Sequence, residues 1–257
     1  MNTQEKLTAL NAILSKEISR VLRIWQQTLL PSAMTMTLYF LIFGAFIGSR
    51  IDNMSGVTYI EFLVPGIIMM AVITNAYSNV SSSFFVIKFQ KSVEELLVSP
   101  TPNYIILLGY VLGGVFRGIL VGIIILLISL FFTKVNLHSL TIILVFILLT
   151  SLAFALAGFL NAIYAKKFDD VAIVPTFVLT PLTYLGGVFY SISLLPEFWK
   201  TVSLLNPILY MVNGFRFGFI GISDINILTG LVILLALTVF LFWFNLHLMK
   251  KGTGLKS

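Results

Sequence analysis

Cysteine is absent from the 257 residues, which removes disulfides, thiolate metal sites and cysteine nucleophiles together. Histidine is nearly absent. His138 and His247 are the two present, too few for a histidine-rich metal centre. Charge is the third shortage. Only 10% of the residues are charged while 58% are hydrophobic, whereas soluble domains carry about 25% charged residues. A water-soluble fold has nowhere to hide so much apolar surface, so lipid must serve as the solvent.

Several motifs are missing as well. No G-x-x-x-x-G-K-[ST] phosphate loop occurs, so the chain is not expected to be its own ATPase. The ending Gly252-Thr253-Gly254-Leu255-Lys256-Ser257 has a similar composition without the spacing or the strand–loop–helix setting. The apolar runs hold no Asp, Glu or His relay suited to a proton-coupled pump. Neither a G-x-S-x-G elbow nor a pair of carboxylates points to hydrolysis. No short apolar run leads to a small-residue cleavage site near the start, so no signal peptide is expected. The net charge of +6 is spread between the apolar runs and at the two ends. It is not gathered into a basic patch with interleaved aromatics, so membrane headgroups and not nucleic acid are the expected counterpart.

What is present is a series of long apolar runs. They predict an all-α integral membrane protein with six transmembrane helices, at about 29–49, 60–86, 104–132, 138–164, 171–190 and 226–248. Residues 5–27 read as an amphipathic helix lying flat in the membrane interface. Leu7, Leu14, Ile18 and Trp25 form one stripe, and Lys16, Arg20 and Arg23 the opposite one. The stretch 191–225 is apolar but broken by Pro196, Pro207, Gly214, Gly218 and Gly221, and reads as short re-entrant or interfacial helices. The expected organisation is thus a connecting helix over 1–27, a transmembrane domain over 28–250 and a tail over 251–257.

Charge sets the orientation. With six spans, Lys6, Lys16, Arg20, Arg23, Lys88, Lys91, Lys166, Lys167, Lys250, Lys251 and Lys256 fall on the side of the termini. Arg50, Lys134, Lys200 and Arg216 fall on the other, and Arg117 within a span. The positive-inside rule then puts both termini in the cytoplasm.

Four constellations stand out. The loop Lys88–Pro102 predicts a short helix with Ser92 as its cap, Glu94 and Glu95 in its first turn, and Pro100 and Pro102 beyond it. It reads equally as a lever that transmits a partner's motion and as a solvated connector. Arg117 sits among Gly109, Gly113, Gly114, Gly118 and Gly122, beside a tightly packed face. It is either a polar anchor, a contact for an anionic cargo group, or a cation snorkelling to the interface. Asp169 and Asp170 are expected to cap the helix that follows them. Pro175, Pro181, Gly186 and Gly187 predict an irregular fifth span, either a flexible pathway helix or simply an irregular packed one.

Particular strings carry a resemblance. Gly48-Ser49-Arg50-Ile51, Val64-Pro65-Gly66-Ile67-Ile68-Met69, Glu94-Glu95-Leu96-Leu97-Val98 and Pro175 through Ser191 are among them, with Leu205-Asn206-Pro207 and Gly214-Phe215-Arg216. Together they resemble the type-2 ATP-binding-cassette transporter permeases, a family of polysaccharide, lipid and drug exporters. The resemblance implies a pair of permease chains in a bacterial inner membrane, each with a cytoplasmic ABC ATPase subunit beneath it. ATP and Mg would be bound by that partner, and this chain would carry no cofactor. Glu94, Glu95, Leu96, Leu97 and Pro100 would belong to a coupling helix docked into the ATPase. The fifth span, with Pro175, Pro181, Tyr184, Gly186 and Gly187, would line the dimer interface and pathway. The cargo is expected to be amphipathic or lipid-linked. An ATP-independent secondary transporter or channel is the alternative, and the few ionisable groups in the spans weigh against it. A membrane-embedded lipid enzyme would need clustered acid, base or nucleophile groups that the sequence does not bring together.

Overall fold

A computed structural model describes residues 1–254 apart from Asp52, Asn53 and Ser55. The residues expected in the tail beyond Gly254, including Lys256, lie outside the described residues. The described residues are helical apart from turns and one isolated bridge between Met54 and Val57. In chain order the α-helices are α1 (Thr3–Arg23), α2 (Trp25–Thr28), α3 (Leu30–Tyr39), α4 (Tyr59–Phe89), α5 (Ser92–Val98) and α6 (Asn103–Ser129). They continue with α7 (Leu140–Tyr164), α8 (Phe168–Val174), α9 (Thr180–Tyr184), α10 (Glu197–Leu204), α11 (Pro207–Ile220) and α12 (Ile227–Lys251). Widened π-type turns carry the chain on from α3 over Phe40–Ile47, and join α8 to α9 over Pro175–Leu179.

Among the described residues, five helical stretches are long and apolar enough to cross a membrane: Trp25–Ile47, α4, α6, α7 and α12. The expected fifth span, 171–190, is not one long helix. Its helical part covers 168–184 and is broken where proline demands it. Pro175 has no N–H to give the carbonyl of Val171, and the side-chain amide of Asn161 in α7 donates to that carbonyl instead, at 3.1 Å. Gly187, at φ +70°, then turns the chain.

α4 is the axis of the bundle. Most of its residues from Phe62 to Phe85 are buried, because α6, α7, α11 and the first span all pack on it. Lipid offers no hydrophobic drive between helices, so close backbone approach takes over. The glycines of α6 serve two partners. A Cβ on Gly114, Gly118 or Gly122 would lie 2.5–3.0 Å from Val80, Ala76 or Val72 of α4. One on Gly109 or Gly113 would lie 2.5 or 2.6 Å from Ile13 or Glu17 of α1. In α4 itself, a Cβ on Gly66 would sit 2.6 Å from the carbonyl oxygen of Val188 and 3.1 Å from its Cα. Backbone cannot swing aside as a side chain can, so Gly66→Ala is expected to cost about 1–3 kcal/mol, read as a lowered Tm.

α1 differs from its sequence-based reading. The stripe expected to face lipid is exposed at Leu7 and, just beyond α1, at Trp25, but Leu14 and Ile18 are half-buried, and Glu17 and Val21 are fully buried against the bundle. Arg20, expected on the outer face, points into the bundle. The reason is the glycine face of α6, which admits α1 only along the line of Ile13 and Glu17.

Candidate functional site

The loop between α4 and α6 folds as expected into a short helix. Lys91, in a left-handed conformation at φ +61°, turns the chain sharply out of α4. It occupies the cap position that Ser92 was expected to fill, and Ser92 is the first helical residue. Val93 is buried and pins α5 to the bundle, whereas Glu94, Glu95, Val98 and Pro100 are exposed, and Leu96 and Leu97 half-buried. Ser99 Oγ donates to the carbonyl of Leu96 at 2.7 Å and helps close the helix end. The result is a rigid acidic knuckle clamped between two long helices.

The same end of the bundle collects lysines. Lys88 Nζ donates to the carbonyls of Ala162, Ile163 and Ala165, the unpaired C-terminal carbonyls of α7. Asp170 Oδ2 accepts from the backbone N–H groups of Lys166 (2.8 Å) and Lys167 (3.0 Å), the capping role the sequence suggested. Those donors hold its carboxyl below the ordinary aspartate range. A depressed folded-state value stabilises above the unfolded value, about 3.9, and is lost as pH falls through the folded one. Asp170→Asn is therefore expected to lower Tm at pH 7 and to match the unsubstituted chain once both are acidified below that folded-state value.

Arg117 is held by protein. Its guanidinium donates to the carbonyl of Thr28 and to Asn75 Oδ1, both at 3.0 Å. Asn75 Nδ2 in turn donates to Ser32 Oγ at 3.0 Å and to the carbonyl of Ala71 at 2.9 Å. This links α6, α2, α4 and α3. Thr28 sits where the chain bends between α1 and the first span, and its own hydroxyl donates to the carbonyls of Val21 and Ile24, both at 3.1 Å.

A second polar cluster lies one turn along α4, with little local signal to announce it. Glu17 Oε1 accepts from Ser83 Oγ at 2.6 Å, and Glu17 Oε2 pairs with Arg20 at 2.9 Å. Arg20 also donates to Asn79 Oδ1 at 2.8 Å. Asn75, Asn79 and Ser83 recur every four residues and so share one face of α4. That spacing was the available clue.

Pro175, Thr176, Leu179, Thr180, Thr183 and Tyr184 form one wall of a cleft of about 360 Å³ whose other walls are α3 and α4. Tyr184 OH lies 3.0 Å from Tyr39 OH across it. Gly186 and Gly187 are buried at the turn, where a Cβ would meet Ile208 at 2.7 Å or Leu209 at 3.0 Å. Pro181 is exposed.

Arg216, grouped by its sequence position with the cations opposite the termini, is buried in α11 at 1% exposure. It donates to the carbonyls of Gly187 (2.7 Å), Val188 (3.3 Å) and Phe62 (3.3 Å), and its guanidinium carbon lies 3.7 Å from the Phe62 ring centroid. These bonds tie α11 to α4 and to the turn after α9, while Arg216 Nη1 is buried without a hydrogen-bond partner among the described residues.

An apolar bundle with a projecting acidic knuckle and broken helices beside a polar cleft is the make-up of a membrane transport permease. The chain belongs to the ABC-2 type transporter family, whose model matches residues 8–220. It is similar to inner membrane transport permease YadH of Escherichia coli K12, with 55% identity over 249 residues, 97% of each chain. It is also similar to nodulation protein J of Rhizobium leguminosarum bv. viciae, with 22% identity over 215 residues and 83% of each chain. Nodulation protein J of Rhizobium meliloti strain 1021 matches at 23% identity over 180 residues, 70% of this chain and 69% of that one.

Proposed function

We propose that the chain is the membrane subunit of an ATP-driven exporter, working as a pair of copies with a separate ABC ATPase in a bacterial inner membrane. The exposed acidic α5 between α4 and α6 carries this reading. A rigid knuckle at the lysine-rich end of two long helices suits a lever pushed by a cytoplasmic partner. Closure of the ATPase pair on ATP shifts the permease pair between two states that differ in affinity for cargo. Chemistry belongs to the partner, which holds ATP and Mg, and this chain supplies path and lever without a cofactor of its own.

In this reading residues 171–190 make the remaining crossing, the fifth in chain order, and both termini are cytoplasmic. α1 lies along the cytoplasmic face as a connecting helix, its exposed Leu7, and Trp25 just beyond its end, toward the acyl region. α10 and α11 are re-entrant from the outer face. The segment with Pro175, Pro181 and Tyr184 borders the pathway and the second copy, and the cargo is amphipathic or lipid-linked.

The direct test is purification of the chain from native membranes in mild detergent. A phosphate-loop ATPase is expected to copurify at one copy per permease chain. Active transport by the chain alone, driven by an ion gradient in vesicles, would overturn the exporter reading.

A further inference from the structure

The cleft between α3, α4 and the 175–184 segment has a distinctive chemistry. Ser32, Thr35 and Tyr39 line one wall, Asn75 the floor, and Thr183 and Tyr184 the other wall. Among the described residues no Asp, Glu, Lys, Arg or His lines it. Hydroxyl and amide groups held in a low-dielectric setting favour a partner that exchanges hydrogen bonds without bringing a charge to be desolvated.

Arg117 stands behind this lining. It has donors and no acceptor, so its bond fixes the amide of Asn75 with Oδ1 toward Arg117 and Nδ2 toward Ser32. Ser32 Oγ then accepts from Asn75 and keeps one proton to give. That proton goes either back to Asn75 Oδ1, 3.2 Å away, or outward into the cleft. The Tyr39–Tyr184 pair likewise uses one hydroxyl proton internally and leaves one to give. Tyr184 is stacked on Phe189 at 5.5 Å between centroids, which holds its ring in place.

We propose that this cleft takes an uncharged, hydroxyl- or amide-bearing part of the cargo, and that Arg117 is a positioning residue that sets the hydrogen-bond polarity of the cleft through Asn75 and Ser32 without touching the cargo. This rests on the exporter reading for the word cargo, but binding at the cleft is testable without any ATPase.

The natural absence of cysteine makes the test clean. Thr176, exposed on the cleft wall, is replaced in Thr176→Cys, and the full chain is placed in lipid nanodiscs. The rate of maleimide alkylation is followed with n-hexyl glucoside, hexyltrimethylammonium or hexyl sulfate as probe. Phe177→Cys, on the exposed side of the same segment, controls for general partitioning. The glucoside is expected to slow alkylation at Thr176→Cys about fivefold once it exceeds its dissociation constant about fourfold. The control should not respond.

Adding Arg117→Met should remove the protection while leaving the unprotected rate within about twofold, and Arg117→Lys, which keeps a donor for Asn75, should restore part of it. Should Arg117→Met not fold, Ser32→Ala carries the same expectation. Equal protection by either charged probe, or full protection in a folded Arg117→Met or Ser32→Ala chain, overturns the proposal. Loss of the cleft's selectivity with ATPase coupling intact defeats this inference alone. Loss of coupling with selectivity intact defeats the exporter reading alone.

Discussion

Glu95→Arg is expected to weaken the complex with the ATPase, or the coupling of ATP hydrolysis to the membrane subunit, by about tenfold or more while the bundle stays folded. Glu95 is exposed in the first turn of a seven-residue helix. An anion there is favoured by the helix dipole and presented outward. Reversing its charge costs the isolated chain little, on the order of 0.5 kcal/mol, because exposed sites away from caps and cores rarely matter more. At a docked surface the same change sets like charges against each other, and close charge pairs across interfaces are worth about 1.5–7 kcal/mol, where 1.4 kcal/mol is already tenfold. The contrast between the two numbers makes the experiment decisive. Copurification and ATP turnover of the reconstituted complex are measured beside the Tm of the isolated chain. An unchanged complex and unchanged turnover would show that α5 is not the docking helix.

The largest stability effect is expected at the α1 junction. Glu17 is fully buried, and its partner Arg20 has a side-chain exposure of 22%. Removing one member of a buried ion pair leaves the other uncompensated, at about 3–5 kcal/mol. Glu17→Ala is expected toward the lower end of that range, because Arg20 retains Asn79 and some contact with solvent. Desolvation of both charges works against the pair in the native state, so the double change Glu17→Met with Arg20→Met should recover most of the loss. Thermal unfolding of the single and double variants in the same detergent gives the coupling energy. A double variant no more stable than Glu17→Ala would mean that the cluster holds α1 through shape alone.

Both expectations turn on features that differed in how plainly they could be read. Long apolar runs announced the helices because each needs about 20 residues to span the hydrocarbon. α4, α7 and α12 therefore lie close to their expected places. Glu94 and Glu95 were legible because a serine, two acids and flanking prolines are local signals. The broken fifth span was half legible: Pro175 and Pro181 marked the break, but not that Asn161 from α7 would supply the missing donor. Arg117 was conspicuous as a cation in an apolar run, yet its partners, Thr28 and Asn75, are 89 and 42 residues away. The burial of Arg216 was hidden for a related reason. Its segment reads as short broken helices, and only packing reveals the carbonyls of Gly187, Val188 and Phe62 around it.

The sequence by itself determined that this chain lives in lipid, that it is helical, that its lysines gather at one end of the helices, and that it carries no phosphate loop. Those properties are sums over composition and local spacing, and a chain cannot escape them however it folds. The tertiary structure alone decided which face of α1 turns inward, which carbonyls and amides Arg20, Arg117 and Arg216 bond, and how an uncharged cleft comes to stand in front of a buried cation. Each of these depends on backbone groups brought together from distant segments. In a medium without water, every buried charge must find such partners, and the sequence names the charge without naming the partner.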